Sequence, residues 1–256
     1  MDFLQSVILG LVEGFTEFLP ISSTAHLILT AEILKIPQTE FVKSFEITIQ
    51  LGAILAVVWL YWRKIFLNNE IIKRIFAAFL PTAIIGILFY KIFKNFLMEN
   101  LSVIVWALFL GGIFLIIFEL WYKEKPGAVE DVEKISYRQS FLIGVFQAVA
   151  IVPGVSRSAA TILGGLFLGL KRKTIVEFSF LLAVPTMLAA TGYDLLKTGG
   201  GFSFDQFGVL FVGFLISFLV AIAAIKFLLH YIQKNNFIWF GVYRILAGLI
   251  FILLLI

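Results

Sequence analysis

The sequence predicts an all-α polytopic membrane protein with six transmembrane helices and two re-entrant helix hairpins. Of its 256 residues, 61% are hydrophobic and only 14% are charged, and the mean hydropathy is +1.04. A soluble domain is about 45–50% apolar and about 25% charged. A water-facing globule cannot cover so much apolar surface, so this composition excludes a soluble enzyme, a disordered chain and a nucleic-acid binder.

Six apolar stretches are long enough to cross a bilayer, which takes about 20 residues for a hydrocarbon core of roughly 30 Å. They are residues 41–62, 72–93, 101–122, 172–193, 207–229 and 237–256. Two further regions, 3–36 and 139–170, are each interrupted near their middle by polar residues and a proline. The resulting pieces of about 10–14 residues are too short to span. They suit half-helices of a re-entrant hairpin, whose broken backbone must be buried in protein or reached by water.

The two broken regions resemble each other, which predicts an internal repeat within a single membrane domain, 1–256. At a shift of 134 residues the aligned pairs are Gly10 with Gly144, Glu13 with Gln147 and Ser22 with Ser156. Residues 1–125 and 136–256 then each contain one hairpin and three spans. Three spans cross the membrane an odd number of times, so the second half is expected to be inverted, with the functional site where the broken segments meet. Chance similarity between apolar helices is the alternative interpretation.

The distribution of Lys and Arg predicts the orientation. Thirteen of these residues, Arg63 and Arg172 among them, flank the spans on one side. Five lie on the other side: Lys35, Lys43, Lys91, Lys94 and Lys197. The richer side is expected in the cytoplasm, so the mouth of the first hairpin faces outward. Because no Lys or Arg precedes Lys35, we expect no cleaved signal peptide.

Glu13 and Glu17 are candidate metal ligands. Their i, i+4 spacing puts both carboxylates on one face of a helix, where they repel each other unless a cation or a proton lies between them. Mg²⁺ or Ca²⁺ binds carboxylate oxygens and leaves positions for phosphate oxygens. The alternative is the solvated face of an amphipathic helix.

The segment after Pro20 is rich in hydroxyl groups and holds one of the two histidines: it contains Ser22, Ser23, Thr24 and His26. If a helix begins near Ser22, then Ser23 and His26 are neighbours at i, i+3. A hydroxyl beside an imidazole is typical of an activated nucleophile or of a phosphate ligand, and the helix start offers free N–H groups to an anion. The alternative is an N-cap serine with a structural histidine.

The second broken segment has a matching set of candidates, namely Gly154, Ser156, Arg157 and Ser158. The planar guanidinium of Arg157 suits phosphate, the serines add donors, and glycine permits a close backbone approach. The alternative is a structural ion pair between Arg157 and Glu13, Glu17 or Glu46.

Together these side chains form a set suited to phosphate, because arginine and metal ions stabilise the charge of a transferring phosphoryl group. At membrane depth they indicate a substrate with a phosphate head and an apolar tail. The competing class is a transporter, since inverted repeats with two broken hairpins are also a transporter architecture. We further expect Glu177 and Arg244, outside this set, to form a structural pair.

Residues 13–26, EGFTEFLPISSTAH, and 153–158, PGVSRS, closely resemble the two signature motifs of the bacterial undecaprenyl-pyrophosphate phosphatase family, the bacitracin-resistance BacA family. The resemblance covers essentially the whole chain, with Ala25 standing where many members have glycine. It implies a multi-pass enzyme of the bacterial cytoplasmic membrane that converts C55 undecaprenyl pyrophosphate to the monophosphate and inorganic phosphate. It also implies recycling of the lipid carrier for peptidoglycan, bacitracin resistance, a divalent metal, activity at the outer face and a homodimer.

The resemblance also suggests a role for each candidate. Glu13 and Glu17 would bind the metal and through it the pyrophosphate, while Arg157 would clamp the phosphates together with nearby hydroxyls. Ser23 or His26 would act on the terminal phosphorus. Three routes stay open: attack by Ser23 with His26 as base, attack by His26 itself, and attack by a water that the two side chains position.

Overall fold

The computed structural model describes residues 1–96, 100–198 and 204–255, and their side chains within 1–89, 100–192 and 206–254. The described residues form ten α-helices, two short 3₁₀ turns and one isolated bridge between Val129 and Leu170. The helices are α1 (Phe3–Thr16), α2 (Ser23–Ile33), α3 (Glu40–Leu67), α4 (Asn69–Phe96), α5 (Leu101–Trp121), α6 (Tyr137–Ala148), α7 (Arg157–Phe167), α8 (Arg172–Thr198), α9 (Phe204–Tyr231) and α10 (Ile238–Leu255). The predicted all-α class is confirmed.

Five of these helices have the length and hydropathy needed to cross a membrane, namely α3, α4, α5, α8 and α9. The sixth predicted span, 237–256, forms the shorter apolar helix α10. The protein is therefore a polytopic membrane protein. The helices α3 and α4 extend several residues beyond the predicted spans, because charged and polar residues continue a helix beyond its apolar stretch. The side chains of Lys91, Lys94 and Lys197, which entered the orientation prediction, lie outside the described part of the chain.

Both broken regions form pairs of short helices, as predicted. The helices α1 and α6 each begin with a capping box, formed by Asp2 with Gln5 and by Ser136 with Gln139. Each is followed by a loop and an 11-residue partner, α2 or α7, that packs against it. The order of helix lengths is the same in both halves: two short helices, then two long helices, then a fifth helix. This fifth helix has 21 residues in α5 and 18 residues in α10. The inverted relation of residues 1–125 and 136–256 stays a prediction.

The first helix of each hairpin packs against a long helix of the other half. The helix α1 packs on α9, and α6 packs on α4. Glycine permits both close crossings: a Cβ on Gly14 would lie 2.5 Å from the Ser217 carbonyl oxygen, and one on Gly144 would lie 1.9 Å from that of Ala78. Small residues allow helix backbones to approach closely in membranes, and these crossings hold the two hairpins within one bundle.

The first hairpin loop lies inside the protein core. Phe18, Leu19 and Ile21 are at most 2% exposed, and the Phe18 ring meets Phe180 of α8 edge-on, with centroids 5.3 Å apart. Non-helical backbone at membrane depth is tolerated where protein buries it. The core therefore provides the environment that the broken segment needs.

The expected pair of Glu177 and Arg244 is wrong. Glu177 forms a salt bridge with Lys64 of α3. The guanidinium of Arg244 is fully buried, and its hydrogen-bond partners within the described part of the chain are all backbone carbonyl groups. The pair was expected because both residues lie close to the predicted cytoplasmic ends of their spans. In the structure, buried backbone carbonyl groups accept from Arg244 in place of a carboxylate.

Candidate active site

The two broken segments meet directly. Arg157, the first residue of α7, donates from Nη2 to Glu17 Oε1 at 3.2 Å. Ser158 beside it donates from Oγ to the Phe18 carbonyl at 2.9 Å. Both contacts join residues 140 positions apart. The structure thus brings the two sequence motifs into one buried cluster.

Glu17 links the two motifs through both of its carboxylate oxygens. While Oε1 accepts from Arg157, Oε2 accepts from the Ser23 hydroxyl at 2.5 Å. The glutamate is 7% exposed, and so is the serine. A buried carboxylate that accepts from a hydroxyl can take up the proton of that hydroxyl, so this pair has the geometry of a nucleophile and its base.

Ser22 and Ser156 are the N-caps of α2 and α7. Their side chains accept from the backbone N–H groups of Ala25 and Ala159, at 3.5 and 3.2 Å. Both serines have left-handed backbones, with φ of 72° and 78°, a conformation that is costly for a residue other than glycine. Their hydroxyls are thus used as caps, and the remaining N–H groups of each first turn are candidates for binding phosphate oxygens.

Among the described residues, two buried carboxylate oxygens of Glu13 and one of Glu46 have no hydrogen-bond donor, and the Glu13 carboxyl lies within hydrogen-bonding reach of that of Glu17. The charged neighbours of Glu13 are Glu17, Glu46 and Arg157. A buried, unpaired carboxylate beside two others needs a proton or a cation. Within the described residues, no group of three or more His, Cys, Asp or Glu side chains is placed to hold a metal. Glu13 and Glu17 nevertheless fit a Mg²⁺-type site, which uses one or two carboxylates and takes its other ligands from water and substrate phosphate.

His26 is held by two residues other than Ser23. Its Nδ1 lies 2.7 Å from the Ser22 carbonyl oxygen, and its Nε2 lies 2.8 Å from the Tyr243 hydroxyl. A carbonyl oxygen only accepts, so Nδ1 carries a proton, and in the neutral form of the ring Nε2 accepts from the Tyr243 hydroxyl. The Tyr243 ring also stacks on the imidazole, 5.5 Å away and 12° from parallel. Among the described side chains, the Ser23 hydroxyl is paired with Glu17 and not with His26.

The other candidates have different roles. Gly154, with φ of +94°, lies where a Cβ would be 2.4 Å from the Ile104 carbonyl oxygen, so glycine is needed for the turn. Thr24 is half-buried. Gln147, which aligns with Glu13, donates from Nε2 to Thr82 and Thr186. The second hairpin therefore carries a neutral hydrogen-bonded amide where the first carries an unpaired acid.

Sequence reasoning missed Ser179, Tyr243 and the role of Arg244. Arg157 donates from Nη1 to the Ser179 carbonyl at 2.8 Å, which fixes the guanidinium beside Glu17. Arg244 could have been found, because an arginine within a transmembrane segment marks a functional site by default. Neither Ser179 nor Tyr243 has a sequence signal of that kind.

Fold and site define a polytopic α-helical membrane protein with a buried cluster of acid, arginine, serine and histidine side chains. The family model described as "Bacitracin resistance protein BacA" matches residues 6–250. This chain belongs to that family, which confirms the resemblance seen in the two motifs.

Close relatives match along their full length. The "Undecaprenyl-diphosphatase" of Aquifex aeolicus (strain VF5) is 55% identical over 247 residues, which cover 96% of each chain. Proteins with the same name from Sulfurihydrogenibium sp. (strain YO3AOP1) and Methanococcus aeolicus are 52% and 45% identical. The former alignment covers 99% of each chain, and the latter 99% of this chain and 98% of the relative.

Proposed function

We infer that this chain hydrolyses undecaprenyl diphosphate to undecaprenyl phosphate and inorganic phosphate. The observation that carries this inference is the full-length match, up to 55% identical, to proteins named undecaprenyl-diphosphatase. The reaction recycles the lipid carrier of peptidoglycan synthesis and confers resistance to bacitracin. The buried cluster supplies the groups that this phosphoryl transfer requires.

The contacts of Glu17 support attack by Ser23, but with Glu17 in place of His26 as the base, because the Ser23 hydroxyl donates to Glu17 and His26 is held by Ser22 and Tyr243. Ser23 Oγ attacks the terminal phosphorus while Glu17 takes the hydroxyl proton, and the bond between that phosphorus and the bridging oxygen breaks to release undecaprenyl phosphate. Arg157 balances the charge on the transferring phosphoryl group. Water then hydrolyses the phosphoserine to inorganic phosphate. Attack by His26 would first require it to release Tyr243, and attack by a water that Ser23 and His26 position is the third route.

A divalent cation, Mg²⁺ or Ca²⁺, is proposed at Glu13 and Glu17. The unpaired oxygens of Glu13 support this placement. The cation would neutralise part of the diphosphate charge. Glu13 would hold the cation through its two carboxylate oxygens, while Glu17 also keeps Arg157 and Ser23 in place.

The excess of Lys and Arg on one side supports an orientation in the bacterial cytoplasmic membrane with the site opening to the outer face. We further propose that residues 1–125 and 136–256 are inverted repeats and that the protein is a homodimer. The matching serine caps Ser22 and Ser156 support the repeat.

The test is phosphate release from a polyprenyl diphosphate by purified protein in detergent, with Mg²⁺, with Ca²⁺ and with EDTA. We expect cation-dependent release in the wild type. Glu17→Ala and Arg157→Ala should lower kcat by about 10²–10⁴-fold, since each removes a group that acts on the transferring phosphoryl. Arg74→Gln is the control, because Arg74 binds the Ile135 carbonyl and Glu70 away from the site. No release under any condition by folded wild type would favour the transporter class, to be tested by flux in proteoliposomes.

A second arm separates the three routes. Quenching in SDS at mildly alkaline pH preserves phosphohistidine as well as phosphoserine. With terminally ³²P-labelled substrate it should leave label on wild type and on His26→Ala, and none on Ser23→Ala. Label that persists in Ser23→Ala but is lost in His26→Ala would identify the histidine as nucleophile. Absence of label in all three proteins, with turnover in the wild type, would favour direct attack by water.

A further inference from the structure

Arg244 of α10 is the largest fully buried side chain of the described residues. Its guanidinium has five N–H donors, and each of them reaches a different backbone carbonyl. Nε donates to Leu108 at 3.2 Å, Nη1 to Pro20 and Val155 at 3.2 and 3.0 Å, and Nη2 to Ala107 and Gly154 at 3.1 and 3.0 Å. The hydrogen-bonding capacity of the side chain is therefore used entirely on backbone.

These carbonyls belong to three separate segments. Pro20 lies in the first hairpin loop, Gly154 and Val155 lie in the second, and the remaining two acceptors lie in α5. Pro20 and Gly154 occupy equivalent places, because each precedes the N-cap serine of its hairpin by two residues. One guanidinium thus joins both loops to each other and to a spanning helix.

Two glycines of α5 make this reach possible. A Cβ on Gly111 would lie 2.0 Å from Nη2 of Arg244, and one on Gly112 would lie 2.8 Å from its Cβ. Any larger side chain at position 111 would occupy the volume of the guanidinium. The helix α5 therefore contains a gap that Arg244 fills.

The loops need such a support because each holds a serine in the left-handed region. Backbone in sparsely populated conformations persists only where the surroundings hold it in place. The same loops set the distance between Glu17 and Arg157, the contact that joins the two motifs. A displacement of either loop would separate these two side chains.

We infer that Arg244 is a positioning residue, which fixes the two hairpin loops so that Glu17, Ser23 and Arg157 meet in reactive register. This inference rests on the proposed hydrolysis. Arg244 acts through the backbone of the loops, so its effect should appear in the rate of the chemical step more than in substrate binding. Small displacements of reacting groups can cost about 10²-fold in rate.

The test measures kcat, KM and backbone hydrogen exchange for wild type, Arg244→Gln, Arg244→Lys, Gly111→Ala and the control Arg74→Gln, all in detergent. We expect Arg244→Gln to lower kcat at least tenfold with KM within about threefold of the wild type, because the substrate contacts remain. Peptides that contain residues 17–22 and 152–156 should exchange backbone hydrogens faster than in the wild type.

Arg244→Lys, with three donors, should be intermediate in kcat and in hydrogen exchange. Gly111→Ala keeps the arginine, but the new methyl group occupies the position of its guanidinium. This variant should match Arg244→Gln in kcat and in hydrogen exchange. Arg74→Gln should match the wild type in all readouts.

The inference would be overturned if the backbone hydrogen-exchange rates of both loops in Arg244→Gln equalled those of the wild type. A kcat equal to that of the wild type would also overturn it. A rise in KM alone would also overturn it, since that result would mark Arg244 as a substrate-binding group. If the wild type releases no phosphate, the proposed function fails, and the exchange measurement alone still decides whether Arg244 holds the loops. If Arg244→Gln does not fold, Arg244→Lys and Gly111→Ala provide the same comparison.

Discussion

At the scale of single residues, the site shows how one carboxylate can organise two distant motifs. Glu17 accepts from Ser23 with one oxygen and from Arg157 with the other. Each partner therefore restrains the other through the same rigid group. The oxygens of the neighbouring Glu13 have no hydrogen-bond donor among the side chains that the structure describes. Glu17 therefore holds other side chains in place, whereas Glu13 needs a proton or a cation.

Tyr243 holds His26 by a hydrogen bond and by stacking, and we expect this contact to position the imidazole. Tyr243→Phe keeps the ring but removes the donor at Nε2, so His26 retains only its bond to the Ser22 carbonyl. A hydrogen bond of this kind is worth about 0.5–1.5 kcal/mol, which predicts a fall in kcat of roughly two- to tenfold on a route in which His26 acts as base, as nucleophile or on the attacking water. Steady-state phosphate release measures it.

Tyr231→Phe is the matched control, because the buried Tyr231 hydroxyl has no hydrogen-bond partner in the described parts of the chain. Its loss should leave kcat unchanged. Equal rates for Tyr243→Phe and wild type would show that the histidine does not depend on this tyrosine.

At the scale of helices, the sequence predicts most of the architecture. Apolar length alone locates five spans, and the breaks at Pro20 and Pro153 locate both hairpins. The sequence does not predict which residues meet across the bundle, because pairings such as Arg157 with Ser179 depend on packing angles that hydropathy does not encode. Arg244 is the clearest case: its position in α10 was evident, but its five carbonyl partners come from three segments that only the folded chain brings together.

The helix crossings give a prediction at this scale. Gly14→Ala should destabilise the bundle, because the new methyl would lie 2.5 Å from the Ser217 carbonyl oxygen at the crossing of α1 and α9. Overpacking of this kind costs about 1–3 kcal/mol. Thermal unfolding in detergent should show a lower midpoint.

The control is Gly86→Ala within α4, where a Cβ would meet nothing within 4 Å. Alanine is the better helix former by roughly 0.5–1 kcal/mol, so this variant should unfold at the same temperature as the wild type or higher. Equal midpoints for the two variants would contradict the close crossing.

At the scale of the whole molecule, the first helix of each half packs against a long helix of the other half. The helix α1 packs on α9, α6 packs on α4, and Arg244 of the second half binds the loop of the first. The site is therefore formed by both halves together, and neither half contains the complete set of Glu17, Ser23 and Arg157. This dependence explains why the two sequence motifs, far apart along the chain, are both needed to predict the chemistry.

The orientation in the membrane is the remaining prediction, and the chain is well suited to test it because it contains no cysteine. Glu40→Cys, at the exposed start of α3, should react with a membrane-impermeant maleimide in intact cells. Lys125→Cys, in the exposed connection between α5 and α6, should react only after the membrane is permeabilised. Both side chains are exposed, unlike those of Glu17, Ser23 and Arg157, so phosphate release should stay at the wild-type level. The reverse labelling pattern would place the mouth of the first hairpin in the cytoplasm. The enzyme would then meet its lipid substrate in the cytoplasmic leaflet of the membrane.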